Sequence, residues 1–456
     1  MDPEKLLARQ REFFLSNKTK DLAFRIEQLA KLENLIRKNE EALFEAIYAD
    51  FGKSSFETYL TELSQIYHEL KLARKNARRW ARTKRVRTNL ANLPGQSFIM
   101  PEPLGCSLVI GAWNYPLQLC LIPVVSALAA GNTVILKPSE LSGHSSKKLA
   151  DLLNAHFPEN YLFVFEGGVD ETTALLNLHF DKIFFTGSIP VGRIVYEAAA
   201  KQLTPVTLEL GGKSPTFVLS DCRIGLSAKR IVWAKFLNAG QTCVAPDYIL
   251  VDRTIADEFT EALIREIKGL FPPGNALPEN YVRIINDRHF ERLRNLIEED
   301  SLHYGGELDP EGRIIWPTVL YPANFKIKAM QDEIFGPILP IIPYDNLDQA
   351  LETVRLKPKP LSAYIFTEQR KEAKRILTML SFGGGAVNES LTHLTNSRLP
   401  FGGVGFSGTG SYHGESGFRE FSHYKSILKK STWFEAPMKY PPYTQKKLKA
   451  FRRFLE

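Results

Sequence analysis

Cys243 sits in Asn238-Ala239-Gly240-Gln241-Thr242-Cys243-Val244-Ala245, where glycine and small side chains let backbone and substrate approach a thiol closely. Cys106 and Cys120, flanked by apolar residues, read instead as small buried hydrophobes. A thiol that does chemistry needs a base and a donor for developing negative charge. Glu209, in Leu208-Glu209-Leu210-Gly211-Gly212, is a carboxylate in an apolar run at the carboxyl end of an expected strand; burial there raises its pKa and suits it to general-base work. Asn114, in Ala112-Trp113-Asn114-Tyr115-Pro116, offers an amide donor at the end of the first strand of the sheet. The four cysteines form no C-x-x-C pair and no metal-ligand spacing with the nine histidines, so neither a disulfide scaffold nor a metal site is indicated.

Two further segments suit a phosphorylated ligand. In the first, an apolar strand ends at Phe185, a turn follows at Thr186-Gly187-Ser188, and Pro190 stands in the first turn of a helix. This places backbone N–H groups and a helix N-terminus at the carboxyl end of a parallel strand, where anions bind; an ordinary strand-to-helix turn accounts for the same residues. In the second, Lys137 and Glu140 put one donor and one acceptor at the same sheet edge. They suit ribose hydroxyls, with a surface ion pair as the competing reading. Gly403-Val404-Gly405-Phe406-Ser407-Gly408 fits G-x-G-x-x-G, but it follows Leu399-Pro400-Phe401 and not a strand, and Gly410, Gly414 and Gly417 oppose a helix there. It is read as a loop without a phosphate role.

These residues need elements to hold them. With 456 residues, 44% hydrophobic and 24% charged, the chain has the composition of a folded protein of two or three domains and not of a disordered one. Residues 2–50 and 57–82 carry apolar positions three and four apart and read as amphipathic helix. From 106 onward β-rich runs at 106–112, 133–138, 161–165, 182–187 and 205–212 alternate with helical stretches over 117–130, 141–154, 171–178 and 191–200, the mark of a parallel, doubly wound sheet. A second series follows, with strands expected at 215–220, 247–251, 315–320 and 338–343 and helices at 223–237, 254–269, 287–298 and 347–355. Two α/β units joined near 209–214 result.

The net charge of +7 is localised. The basic residues from Lys71 to Arg87 have no acid among them, and the tail from Lys429 is strongly basic, so the remainder is net acidic. A nucleic-acid footprint over the whole molecule is excluded, and the stripe on 71–82 reads as a solvated helix face. The N-terminus has no apolar signal-peptide region and 117–130 is too short to span a bilayer, which points to a cytoplasmic protein.

The motifs WNYP at 113–116, KPSE at 137–140, FTGS at 185–188 with Gly192, LELGGKSP at 208–215, GQ-x-C at 240–243, EIFGP at 333–337 and PFGGVG-x-SG at 400–408, in this order, together resemble the aldehyde dehydrogenase superfamily over about residues 20 to 443. The short N-terminus, the glycine- and histidine-bearing stretch from Gly408 to His423 and Tyr440-Pro441-Pro442-Tyr443 are similar to its dimeric class 3, or fatty-aldehyde, branch. The resemblance implies a Rossmann-like NAD(P)-binding domain over 1–85 and 101–208, a catalytic domain over 209–400, and a small β oligomerisation arm with the C-terminal tail over 86–100 and 401–456. It implies Cys243 as nucleophile, Glu209 as general base with Glu333 as a rival, and Asn114 with the Cys243 N–H as an oxyanion hole. For the cofactor it implies Lys137 and Glu140 at the adenosine ribose and Gly187, Ser188, Ile189, Pro190, Val191 and Gly192 beside the pyrophosphate. Glu333 and Phe335 are placed around the nicotinamide ribose and ring, with Trp113 and Leu210 completing the site. Pro190 removes one N–H donor from that turn.

The implied reaction is NAD(P)+-dependent oxidation of an aldehyde to a carboxylic acid through a thiohemiacetal and thioester on Cys243. Tyr115, Leu119, Trp233 and Leu237 would line an apolar, aromatic tunnel, and the resemblance then suggests medium- or long-chain aliphatic, aromatic or apocarotenoid-type aldehydes. CoA-acylating or reductive use of the thioester, and an inactive binding protein of the same fold, are the alternatives. Glu140 as acceptor for a ribose 2′-OH predicts NAD+ with NADP+ tolerated, and a homodimer is implied. In the tail, apolar Leu448, Phe451, Phe454 and Leu455 alternate with basic residues and predict a short cationic amphipathic helix. It either packs on the dimer near the substrate entrance or rests weakly on anionic membrane.

Overall fold

A computed structural model describes residues 2–272 and 281–455. The apolar runs become central strands: Cys106–Ile110, Thr133–Lys137 and Lys182–Thr186 are buried at every position, as parallel strands covered on both faces must be. With Leu162–Val164 and Val206–Glu209 they form a parallel sheet, extended antiparallel by Gly408–Thr409. Its strand order is 408–409, 206–209, 182–186, 106–110, 133–137, 162–164. A second sheet runs 302–304, 318–320, 338–344, 248–252, 215–218, 362–366, 384–387 and is parallel except at its first pair. The chain passes between the two sheets after Glu209 and before Pro215. Lys84–Val86, Gly95–Pro103 and Ser422–Lys430 make a separate antiparallel sheet, with Gly95 opposite Lys430 and Pro103 opposite Ser422.

Helix Gln118–Ala130 is buried along its whole length. A helix apolar all round belongs in the interior, and it packs between the six-stranded sheet and the N-terminal helices. That N-terminal region is three helices, Pro3–Leu15, Leu22–Lys38 and Glu40–Phe51, where the apolar period over 2–50 predicts helix throughout. Asn17 at φ 62°, the Asp21 cap and non-helical Asn39 make the breaks; such polar residues bond to nearby backbone and end helices without disturbing the apolar stripe. The expected helix over 57–82 is Ser55–Thr58 and Ser64–Trp80 with a π-helical turn, Tyr59–Leu63, between them.

The strand expected over 315–320 splits around Pro317: Ile314–Ile315 pairs with Leu308–Asp309, and Thr318–Leu320 joins the seven-stranded sheet. Strands Ser362–Phe366 and Gly384–Val387 and helix Arg370–Met379 go unmarked in the sequence pattern, although Ser362–Phe366 is buried at every position and the helix buries Ala373 and Ile376 on one face. The tail does form a helix, Gln445–Leu455, and Leu448 stays 45% exposed on it. Among the described residues no helix is long and apolar enough to cross a membrane.

Candidate active site

Cys243 follows helix Ile224–Phe236 through an unusual turn. Asn238, Ala239 and Gly240 all have positive φ, at 55°, 50° and 72°, a conformation that costs a non-glycine residue about 1–2 kcal/mol. Hydrogen bonds hold it. The Asn238 N–H donates to Glu57 Oε1 (2.9 Å), and its amide donates to the Asn114 (3.0 Å) and Gln241 (3.1 Å) carbonyls. Gln241 Nε2 donates to the Asn238 and Arg283 carbonyls, and its Oε1 accepts from the Ile285 N–H. A Cβ at Gly240 would meet Gly336 O at 2.3 Å, so glycine alone lets the turn close against the loop that carries Glu333. The result is a half-buried thiol on a rigid corner.

Asn114 reaches this corner from the other sheet. Its Nδ2 donates to Gln241 O (3.0 Å), and the hydroxyls of Tyr115 and Thr242 bond at 2.6 Å. The second amide hydrogen of Asn114 has no partner among the described residues.

Two carboxyl groups flank the thiol. Glu209 ends the strand Val206–Glu209, and neither of its carboxyl oxygens has a hydrogen-bond partner among the described residues. Burial, reinforced by Glu420, holds its pKa well above the carboxylate range. The glycine loop set aside as a phosphate site supports this strand: Gly408 pairs with Glu209, and Ser407 O accepts from the Leu210 N–H (3.1 Å).

Glu333 accepts from the Gly212 N–H and lies against Gly211, where a Cβ would be 2.0 Å from its Oε2. Arg292 Nη2 donates to Ile334 O (2.7 Å), and Asp247, paired with Lys213, accepts from the Ile334 N–H (2.9 Å), which clamps the backbone beside it. Burial raises Glu333 to about 8; Asp247 adds to the rise, and Gly212, Lys213 and Arg292 oppose it. Burial, then the charges of Glu333 and Glu209, push the Cys243 thiol up to about 12. The resting thiol therefore keeps its proton and needs a base.

At the carboxyl edge of the six-stranded sheet, helix Ile189–Ala200 begins after Ser188 with Pro190 in its first turn. The Gly187 N–H is not free, because Glu209 O takes it at 3.0 Å. Pro190 has none, so the donors left are those of Ser188, Ile189 and Val191. Gly192 brings the helix close to Leu210, whose Cδ2 would lie 2.6 Å from an added Cβ. Lys137 is buried, donates to Pro138 O (2.7 Å) and lies 3.7 Å from the half-exposed Glu140. Burial lowers its pKa against the pull of Glu140, and only the Glu140 end of the pair reaches the surface. Trp113 packs edge-on to Phe335 with ring centroids 5.4 Å apart.

Of the expected tunnel residues, Leu237 packs with Cys243 around Ala234, Val244, Leu361 and Leu391. Tyr115 is tied to Thr242, Leu119 is buried one helical turn beyond it, and Trp233 is 36% exposed. Phe401, which shares the cluster with Cys243, and Lys213 are site residues that the sequence reading quoted only as parts of motifs. Lys53, Glu57 and Glu62 were missed: Lys53 lies in the short loop after Gly52, which carries no motif, and Glu57 and Glu62 sit in a helical pattern that looks like any amphipathic surface helix. Among the described residues, no three His, Cys, Asp or Glu side chains gather as metal ligands.

A thiol, an amide donor and two carboxyl groups with raised pKa values, placed between two α/β sheets, define a class. The aldehyde dehydrogenase family model matches residues 2–427, and the chain belongs to that family of oxidoreductases, which convert aldehydes to carboxylic acids with NAD(P)+. Within it the chain is 46% identical over 436 residues to the 4,4′-diaponeurosporen-aldehyde dehydrogenase of Staphylococcus aureus (strain NCTC 8325 / PS 47), covering 95% of each chain. It is 45% identical over 436 residues to the aldehyde dehydrogenase, dimeric NADP-preferring, of Rattus norvegicus, covering 95% of this chain and 96% of the relative. The solved substrate-bound state of Staphylococcus aureus AldH superposes with a TM-score of 0.97 at 44% identity over 99% of each chain. The fold class and enzyme class expected from the sequence are borne out.

Proposed function

We propose that Cys243 attacks the carbonyl of an apolar aldehyde, with Asn114 Nδ2 and the Cys243 N–H receiving the oxyanion, and that the thioester formed is hydrolysed to the acid. The observation that carries this reading is the stitching of Asn114 to the nucleophile's turn through Gln241 O at 3.0 Å, which ties the amide donor to the turn that carries the thiol. The six-stranded sheet is read as the cofactor domain and the seven-stranded sheet as the catalytic domain. The cofactor fits the residues present: Lys137 and Glu140 suit the ribose, and the Ser188, Ile189 and Val191 N–H groups, with the close approach at Gly192, suit the pyrophosphate. When bound, NAD(P)+ supplies the hydride acceptor and a positive charge that favours a thiolate.

Glu333 takes the proton of Cys243 in this reading. A base with a pKa near working pH does this best, and Glu333, raised to about 8, reaches its anionic form at a lower pH than Glu209, which has no hydrogen-bond donor among the described residues and is held well above the carboxylate range. Because the free carboxylate is the active form, kcat/KM is expected to rise as pH climbs through about 8. Glu333→Gln should remove that limb and Glu209→Gln should leave it. Profiles with the two effects exchanged would transfer the role to Glu209.

For the substrate, the apolar surroundings of Cys243 at Leu237, Phe401 and Leu391 support a long aliphatic or polyene aldehyde, in keeping with the diaponeurosporenal named for the staphylococcal relative. An aldehyde panel tests this, and small charged semialdehydes should be the poorest members. Glu140 accepts from a 2′-hydroxyl and repels a 2′-phosphate, so kcat/KM is expected to favour NAD+ while NADP+ still turns over; strict NADP+ dependence would overturn this.

A homodimer is supported by apolar residues left open on the antiparallel sheet and tail, among them Leu428 at 47%, Trp433 at 79% and Tyr443 at 79% exposure. In this reading the tail helix packs on the second copy. Ending the chain at Tyr443 is then expected to weaken the dimer in light scattering, without changing sedimentation with anionic vesicles. Loss of vesicle binding at low salt alone would assign the tail to a membrane surface instead.

A further inference from the structure

Beneath the nucleophile's turn lies a buried ionic network that the reaction as described does not use. Helix Glu40–Phe51 ends at Gly52, whose φ of 69° turns the chain so that Lys53 enters the core with no exposed surface. Its Nζ donates to Glu62 Oε1 (3.2 Å) and to the backbone carbonyl of Asn114 (3.4 Å), and lies 4.6 Å from the centre of the Tyr115 ring. Glu62, equally buried, uses Oε2 to accept from the Leu117 (2.8 Å) and Gln118 (3.2 Å) N–H groups, which fixes the loop just after Asn114. Glu57 holds the other side, accepting from the Asn238 N–H at 2.9 Å. In a regular α-helix residues five apart point about 140° away from each other. The π-helical turn Tyr59–Leu63 lets Glu57 and Glu62 both face this network.

We propose that Lys53, Glu62 and Glu57 form a brace that holds the Asn114 loop and the left-handed turn before Cys243 in register, and that Lys53 is a positioning residue acting through Asn114. The Asn114 carbonyl accepts from both Lys53 and Asn238 Nδ2, so the backbone that aims the Asn114 amide is pinned from both domains. Stability does not account for the ion pair, since a buried pair is often matched or bettered by apolar residues of the same volume. Orientation does, because an error of about 1 Å at a reacting centre costs ~10²-fold in rate. This inference rests on the oxyanion role given to Asn114.

The test is a double-mutant cycle of Lys53→Met and Asn114→Ala in the full-length enzyme. Lys53→Met alone is expected to lower kcat by ~10–100-fold with KM for aldehyde and cofactor affinity nearly unchanged, and to lower it no further once Asn114 is alanine. Equal losses in both backgrounds would overturn the brace while leaving the oxyanion reading intact. A silent Asn114→Ala would bring down both. Should Lys53→Met fail to fold, Glu57 decides: Glu57→Ala must slow both turnover and iodoacetamide alkylation of Cys243, and Glu57→Gln, which keeps an acceptor for the Asn238 N–H, must restore them. Wild-type rates in Glu57→Ala would overturn the proposal.

Discussion

Cys243→Ser is expected to lower kcat by at least ~10³-fold while NAD(P)+ binding, followed by fluorescence titration, stays unchanged. Removal of a covalent nucleophile can cost ~10⁶-fold in other hydrolytic sites, and a serine hydroxyl keeps the geometry but is a much weaker nucleophile than a thiolate. The site magnifies the difference. The thiol is already pushed up to about 12 by burial and by Glu333 and Glu209, and an alcohol on the same corner is harder still to ionise. Cofactor binding is expected to be spared because the residues proposed for it, Lys137, Glu140 and the start of helix Ile189–Ala200, lie at the carboxyl ends of strands of the six-stranded sheet, whereas Cys243 lies on the turn after helix Ile224–Phe236. A Cys243→Ser enzyme with more than about a tenth of wild-type kcat, a barrier change of only ~1.4 kcal/mol, would remove Cys243 from the nucleophile's role.

Asn114→Ala ranks second, with an expected ~10²–10³-fold fall in kcat, the usual cost of one oxyanion donor. The fold should survive. Gln241 O, which loses the Asn114 amide, keeps Asn238 Nδ2 at 3.1 Å, so no carbonyl is stranded, and the lost bond is worth about 1 kcal/mol. Asn114→Asp separates donation from shape: it keeps the side-chain outline but cannot donate when ionised, and should be at least as slow. Thermal melts of both variants close to wild type, together with the fall in kcat, would locate the loss in the transition state. A fall of less than about tenfold in Asn114→Ala would leave the oxyanion with another donor.

Motif chemistry made much of this enzyme readable from one chain. Cys243, Glu209 and Asn114 stand in segments whose glycines and strand ends are local features, and local features survive without a fold. The parallel strands were legible for a similar reason: Cys106–Ile110 and Lys182–Thr186 are apolar throughout because both faces are covered. The strands Ser362–Phe366 and Gly384–Val387 were not marked: the first is buried at every position like the central strands and could have been read, whereas the second, Gly-Gly-Ala-Val and only partly buried, is made β by its pairing with the first.

By itself the sequence determined the candidates for the reacting groups, the order of the two α/β sheets along the chain and the family to which the chain belongs. Only the tertiary structure decided the proton affinities, because desolvation depends on every neighbour: two glutamates of ordinary composition become carboxyl groups held above their usual range, one of them at about 8. It also decided that Lys53, in a segment with no motif, comes within 3.4 Å of the Asn114 carbonyl across sixty-one residues of chain. Such a contact follows from how helix, π-helical turn and sheet pack, and packing over that separation leaves no local trace in the residues it joins.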